Sequence, residues 1–246
     1  MTHSQQPPPR RTAASRLPLI GREAETARLL DLLGQPEVAL VTLTGPGGVG
    51  KTRIALHAAA LAAPAFPDGV VVADLAPVRD PALVLPTVAR ALGVRAAGEE
   101  PLVATLATAL RGKRTLLVLD NMEQVAAAAP ALASLLDAAP DVKALATSRI
   151  LLRVYGERSV PVAPLPVPPE AADDPGGGAA LAAPAVRLFL ERALAVAPAL
   201  DRSPEGIATV AEICRRSGPA RCAGLRWCCR SASSPRCSRR WWAAAR

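Results

Sequence analysis

Eight residues in this chain could do chemistry on phosphate. Gly45-Pro46-Gly47-Gly48-Val49-Gly50-Lys51-Thr52 follows directly on the apolar run Val38-Ala39-Leu40-Val41-Thr42-Leu43-Thr44. The pattern is GxxxxGK closed by a hydroxyl residue, placed between an expected strand and an expected helix. Gly45, Gly47, Gly48 and Gly50, with Val49 among them, let backbone N–H groups close around phosphate oxygens. The helix opening near Lys51 turns its positive end toward the same oxygens. Lys51 can reach the β- and γ-phosphates of a nucleotide, and the Thr52 hydroxyl can ligate Mg²⁺. An ordinary glycine-rich turn is the alternative, but it requires neither the strand before nor the Lys-Thr pair after.

A second group of residues bears on the same chemistry. Asp120 ends the apolar run Thr115-Leu116-Leu117-Val118-Leu119. An acid at the tip of a buried strand downstream of a phosphate loop can hold the Mg²⁺ that bridges β- and γ-phosphates; a strand-ending Asp that caps the next turn is the alternative. Arg149 follows the strand expected over Val142–Thr147, at a place where an arginine can sense γ-phosphate charge. Its alternative is a solvated or acid-paired arginine. Glu123 is a candidate for the base or water-orienting group, with Asn121 as a second water-holding side chain; Glu123 could instead be an acid favoured at a helix opening. These give the candidate catalytic set Asp120, Glu123 and Arg149, and Thr52 with Asp120 as the Mg²⁺ pair. No NKxD guanine-reading motif occurs, so ATP is expected over GTP.

The elements that must position these groups alternate. A helix is expected over 22–33, with Ala27, Leu29, Leu30, Leu32 and Leu33 on its apolar side, ended by Gly34. After the loop come a helix from Lys51 to Ala63, stopped by Pro64, and a second strand, Val70–Leu75, apolar enough to be buried on both faces. Asp80-Pro81 opens a helix to Leu92, and another runs over 101–110. The strand ending at Asp120 precedes a helix over 123–137, with Pro130 inside it. Strands over 142–147 and 159–163 complete the set. Alternating strands and helices predict an α/β fold with a parallel sheet covered on both faces. The spacing fits the branch of such folds in which another strand separates the loop-bearing strand from the Asp120 strand. Residues 164–184, with Gly176-Gly177-Gly178 at their centre, are expected to be a linker. Two amphipathic helices follow, about 184–196 and 204–216.

Composition limits the alternatives. Half of the 246 residues are apolar but only 2% are aromatic, so the core must be Ala, Leu and Val. The net charge of +8 is uneven: residues 1–214 carry 20 Lys and Arg against 21 acids, while residues 215–246 carry nine Arg and no acid. A nucleic-acid surface on the main domain is therefore not supported, whereas a basic tail could touch polyanions. No apolar stretch is long enough to span a bilayer, and the polar, Pro-rich leader lacks a secretory apolar region. A cytoplasmic protein is expected, with residues 1–16 a disordered leader. Four cysteines, Cys222, Cys228, Cys229 and Cys237, lie near the end without a C-x-x-C pair, and no zinc site is expected.

Together the motifs resemble a family. Leu19-Ile20-Gly21-Arg22-Glu23, the loop at 45–52, Leu116–Asn121 followed by Glu123, and Ala146-Thr147-Ser148-Arg149 look like the core of a STAND-class P-loop ATPase. Such NB-ARC-like cores occur in bacterial regulators of the LuxR and AfsR type. Val72–Pro81 and Val186–Arg216 are similar to the same subgroup. The resemblance implies a P-loop three-layer sandwich followed by a helical subdomain. It implies that Ile20, Gly21 and Arg22 lie against adenine, that Lys51, Thr52 and Asp120 hold triphosphate and Mg²⁺, and that Arg149 is a sensor. It implies an ATP/ADP switch with self-association through the core.

Two departures qualify these expectations. The second acid after the strand, common in the family's eukaryotic members, is Asn121 here, so slow hydrolysis at most is expected. After Arg216 a GLPL-type motif and helix are expected, and the text instead becomes a Cys-, Trp- and Arg-rich tail over 217–246, read as disordered or out-of-frame. The helical subdomain over 185–216 is therefore read as truncated, with its apolar faces left partly uncovered. No helix-turn-helix is seen, and a DNA-binding domain is expected to belong to a missing part. The competing readings are a dedicated P-loop enzyme, an AAA-type ATPase or a kinase, and a fragment that no longer functions.

Overall fold

A computed structural model of the chain describes residues 19–95, 100–168 and 178–217. The leader expected over 1–16, the centre of the expected linker and the tail from 218 onward, with its four cysteines, lie outside the described residues. Among those described, five strands form one sheet: β1 (Leu40–Thr44), β2 (Val70–Asp74), β3 (Leu116–Asp120), β4 (Lys143–Ser148) and β5 (Glu157–Pro161). The order is β2-β3-β4-β1-β5 and every pairing is parallel. The fold is α/β, as the alternating pattern predicts, and β4 is the strand that separates the loop-bearing β1 from β3.

Parallel neighbours require crossovers, and helices supply most of them. They are α1 (Glu23–Gly34), which precedes β1, then α2 (Lys51–Ala62), α3 (Val84–Leu92), α4 (Leu102–Leu110) and α5 (Ala129–Ala138). Alternate strand residues divide between two faces. Leu40, Ala73, Leu117, Leu119, Ala144 and Ala146 enter one core with Val84 and Val88 of α3, Leu106 and Leu110 of α4, and Leu132, Leu135 and Leu136 of α5. Val41, Leu43, Leu116, Val118 and Leu145 are equally buried on the other side, where α2 packs on β1, β3 and β4 and α1 packs on α2. With almost no aromatics, the burial is done by many Leu side chains at about 1.5–3 kcal/mol each and by close Ala packing such as Ala55 and Ala58.

Several boundaries differ from the sequence expectation. The strand expected to be buried on both faces, β2, is instead at the sheet edge, and its Val72 is 38% exposed. An apolar run of five residues cannot tell an edge from a centre; the strand order decides it. Pro130 opens α5 rather than interrupting a longer helix, because proline suits the first helical turn. Asn121, in the left-handed region at φ 68°, turns the chain out of β3 into a 3-10 turn, Met122–Gln124. Gly34 is the last residue of α1 rather than a left-handed stop. At α3 the local signals act as read: the Asp80 carboxylate accepts from the Ala82 N–H at 2.9 Å and Gly93 closes the helix at φ 72°.

The described residues divide into two compact units. One holds the residues up to Gly45 together with Lys51–Val162, and the other holds Pro46–Gly50 together with residues from Ala163 onward. Among the described residues the second unit contains three helices that pack on one another: α6 (Gly178–Ala182), α7 (Pro184–Leu194) and α8 (Pro204–Ser217). α6 falls inside the stretch read as linker; Ala-Ala-Leu-Ala is a strong helix former even beside glycines. Ser203 caps α8, its Oγ accepting from the Gly206 N–H at 3.2 Å while the Asp201 carboxylate accepts from Ser203. Val186, Leu188, Phe189, Leu190, Ile207, Val210, Ala211 and Cys214 are all buried. Leu194 and Ile213 are half-buried.

Candidate functional site

The loop between β1 and α2 has the backbone its glycines were expected to permit. Gly48 and Gly50 have φ values of 82° and 97°, which a residue with a Cβ adopts only under strain. Pro46, Gly47 and Gly48 are exposed and Val49 is buried. α2 begins at Lys51, so its first N–H groups, which have no intrahelical partner, open where the loop ends. The Lys51 ammonium donates to the Gly45 carbonyl at 2.8 Å, and the residue is only 9% exposed. Burial pushes its pKa below the usual 10.5 and the Arg149 charge acts in the same direction, while the carboxylates of Glu123 and Asp120 oppose the shift. The Lys51 ammonium is thus partly desolvated and within electrostatic reach of two acids and an arginine.

Asp120 joins two elements. Because β4 lies between β1 and β3, the C-terminal ends of all three strands meet beside the start of α2. The Thr52 hydroxyl donates to Asp120 Oδ1 at 2.7 Å. The Thr147 hydroxyl, from β4, donates to the same oxygen and accepts from the Asn121 N–H at 3.0 Å. Thr147 is 1% exposed. It stands inside the Ala146–Arg149 motif but received no role from the sequence. The available signal was a hydroxyl residue at the end of an otherwise apolar strand; what it faces depends on the strand order.

Glu123 and Arg149 come together. Arg149 Nε donates to Glu123 Oε1 at 3.0 Å, with the arginine side chain 65% exposed and the glutamate 16%. The other carboxylate oxygen, Glu123 Oε2, is buried and accepts no hydrogen bond. Of the two readings of Arg149, the acid-paired one describes this state. Glu123 lies in the Met122–Gln124 turn, and α5 starts only at Ala129, so it does not open an α-helix.

Ile20, Gly21 and Arg22 form the lead into α1. Gly21, at φ 65°, donates its N–H to Glu23 Oε1 at 3.3 Å. Arg22 is buried, with its guanidinium on Glu25 at 2.6 Å and its carbonyl accepting from the Thr26 hydroxyl. The structure therefore ties Arg22 into the first turn of α1. Taken together, the groups around the start of α2 offer a cation and helix N–H groups for a polyphosphate, and a hydroxyl with a carboxylate as hard oxygen donors of the kind Mg²⁺ takes. Among the described residues no helix is long and apolar enough to cross a membrane.

Comparison with known proteins agrees with this architecture. The chain is 37% identical over 178 residues to a protein of Mycobacterium tuberculosis provisionally named HTH-type transcriptional regulator Rv0890c, covering 72% of this chain and 18% of that one. It is 35% identical over 146 residues to the regulatory protein AfsR of Streptomyces coelicolor, covering 53% of this chain and 14% of AfsR. The chain thus spans less than a fifth of the length of these relatives. Among solved structures, Cdc6p from Pyrobaculum aerophilum superposes with a TM-score of 0.58 at 19% identity, over 81% of this chain and 56% of that one, and shows the same fold. The likeness to the STAND-class core of AfsR-type regulators, read from the motifs, is borne out. Residues 37–159, from the lead into β1 through β5, match the model of the AAA domain: this chain belongs to the AAA domain family of P-loop NTPases.

Proposed function

We propose that the chain is the ATP- and ADP-binding switch core of a longer signalling or transcriptional regulator, with slow hydrolysis at most. The observation that carries the reading is the hydrogen bond of Thr52 to Asp120, which joins the end of the phosphate loop to the tip of β3. In this reading Gly45, Gly47, Gly48, Val49 and Gly50 present backbone N–H groups to the phosphates, and Lys51 leaves the Gly45 carbonyl for the β- and γ-phosphoryl oxygens. Ile20, Gly21 and Arg22 border the adenine. Thr52 and Asp120 hold Mg²⁺, which when bound neutralises charge on the phosphoryl oxygens. Arg149 senses the terminal phosphoryl group. Position 121, where the family resemblance would allow a second acid, is an asparagine, a side chain that cannot take up a proton as a base, and this supports slow hydrolysis at most. Turnover of tens per second would instead identify a dedicated ATPase.

The regulatory names of the relatives support the switch reading. Operator contact in them is proposed to lie outside the segment that they share with this chain, and self-association through the core is proposed to follow the ATP state. The test is thermal unfolding of the purified chain with ATP or ADP, with and without Mg²⁺. At a hundredfold excess over Kd a ligand adds about 2.7 kcal/mol, a rise of about 5–10 °C for a chain of this size. Lys51→Ala is expected to abolish the rise. A folded sample with no rise for either nucleotide overturns the reading.

A further inference from the structure

We propose that Glu123 sets the preference between nucleoside diphosphate and triphosphate, by competing with the terminal phosphoryl group for Arg149. The inference rests on the nucleotide reading above and assigns Glu123 a role other than that of a base. Three observations carry it. The Glu123 carboxylate already holds Arg149, Oε1 to Nε at 3.0 Å. Its second oxygen is buried and accepts no hydrogen bond, so the glutamate brings an incompletely compensated negative charge to the site. Both side chains also act on the Lys51 ammonium, Glu123 favouring its charge and Arg149 opposing it, so the pair lies within electrostatic reach of the lysine of the phosphate loop.

The consequence is a selectivity filter built from one ion pair. A diphosphate need not disturb Glu123 or Arg149. A triphosphate brings a second anion to the same cations, and it must either draw Arg149 from Glu123 or sit against an uncovered carboxylate. Both cost affinity for the triphosphate alone. Because Arg149 is mostly exposed, it can leave Glu123 without repacking the core. The Glu123–Arg149 contact is then a property of the diphosphate and empty states, and its loss is a property of the triphosphate state. This is the kind of local two-state contact through which a bound nucleotide can bias a larger change.

The experiment is calorimetric titration of the full chain with ATP·Mg and ADP·Mg, on wild type, Glu123→Gln, Arg149→Met and the double variant, with Glu123→Ala as a second way of removing the charge. The ratio of ATP to ADP affinity is expected to rise about fivefold in Glu123→Gln and in Glu123→Ala, and to fall in Arg149→Met. In the Arg149→Met background the gain from Glu123→Gln is expected to shrink, because one of the two competing effects is already gone. An unchanged or lowered ratio in both Glu123 variants overturns the proposal, and a lowered ratio would return Glu123 to a role in holding the terminal phosphate or its attacking water. If wild type binds neither nucleotide, it is the nucleotide reading that fails, and the two failures are thereby distinguished.

Discussion

At the residue scale, the site is organised by groups held at a cost. Lys51 sits where burial disfavours its charge, so its pKa in the folded chain lies below the 10.5 of an exposed lysine. Between those two values the unfolded chain carries the proton and the folded chain does not, so stability rises with pH across that window. Burial shifts Lys143 in the same direction. Lys51→Met is therefore expected to melt no lower than wild type without nucleotide, to reduce but not abolish the rise of stability with pH, and to lose the nucleotide-induced shift; melting scans at stepped pH read all three. Thr147 is the opposite case, a buried hydroxyl fully used as donor to Asp120 and acceptor from Asn121. Thr147→Val leaves the Asn121 N–H unpaired, at a cost of about 1–3 kcal/mol, and frees the Asp120 carboxylate to turn. Urea unfolding reads the first effect and the Mg²⁺ dependence of ATP affinity reads the second. Thr147→Ser is expected to restore both.

At the element scale, short strands of five or six residues carry the whole arrangement. β3 delivers Asp120 because Leu117 and Leu119 lock one face and Leu116 and Val118 the other, all at or near zero exposure. Leu119→Ala removes a side chain with no room to collapse around it and is expected to cost about 2–5 kcal/mol, measured by urea unfolding. The edge strand β2 responds differently: Val72→Thr, on a half-exposed edge, is expected to change stability by no more than about 0.5 kcal/mol. The contrast between two runs of similar apolar character shows where sequence pattern loses its force. Val70–Ala73 and Leu116–Leu119 read alike, and only their neighbours in the sheet distinguish them. The helices were more legible, since Asp80, Gly93 and the opening prolines act through local backbone chemistry that needs no partner.

At the scale of the whole molecule, charge and fold separate. Residues 1–214 are near neutral, and the positive excess lies in the nine arginines from 215 onward. Removing residues 218–246 is expected to abolish retention on a polyanionic resin at low salt while leaving the ATP-induced thermal shift in place; loss of that shift would show that the tail contributes to the nucleotide site. The chain covers less than a fifth of the length of the AfsR and Rv0890c relatives.

The phosphate loop, the acid at the strand tip, the alternation that makes a parallel α/β sheet, and the Asp80 and Gly93 caps around α3 were legible from the chain alone. Each is written in contiguous residues whose physics is local: glycine backbones, strand-length apolar runs, a proline at a first turn. That β2 is an edge, that Thr147 shares Asp120 with Thr52, and that Glu123 holds Arg149 came from the assembled sheet. Those contacts join residues 26 to 68 positions apart, and they exist because β4 inserts between β1 and β3. That is a choice of strand order which no run of neighbouring residues encodes.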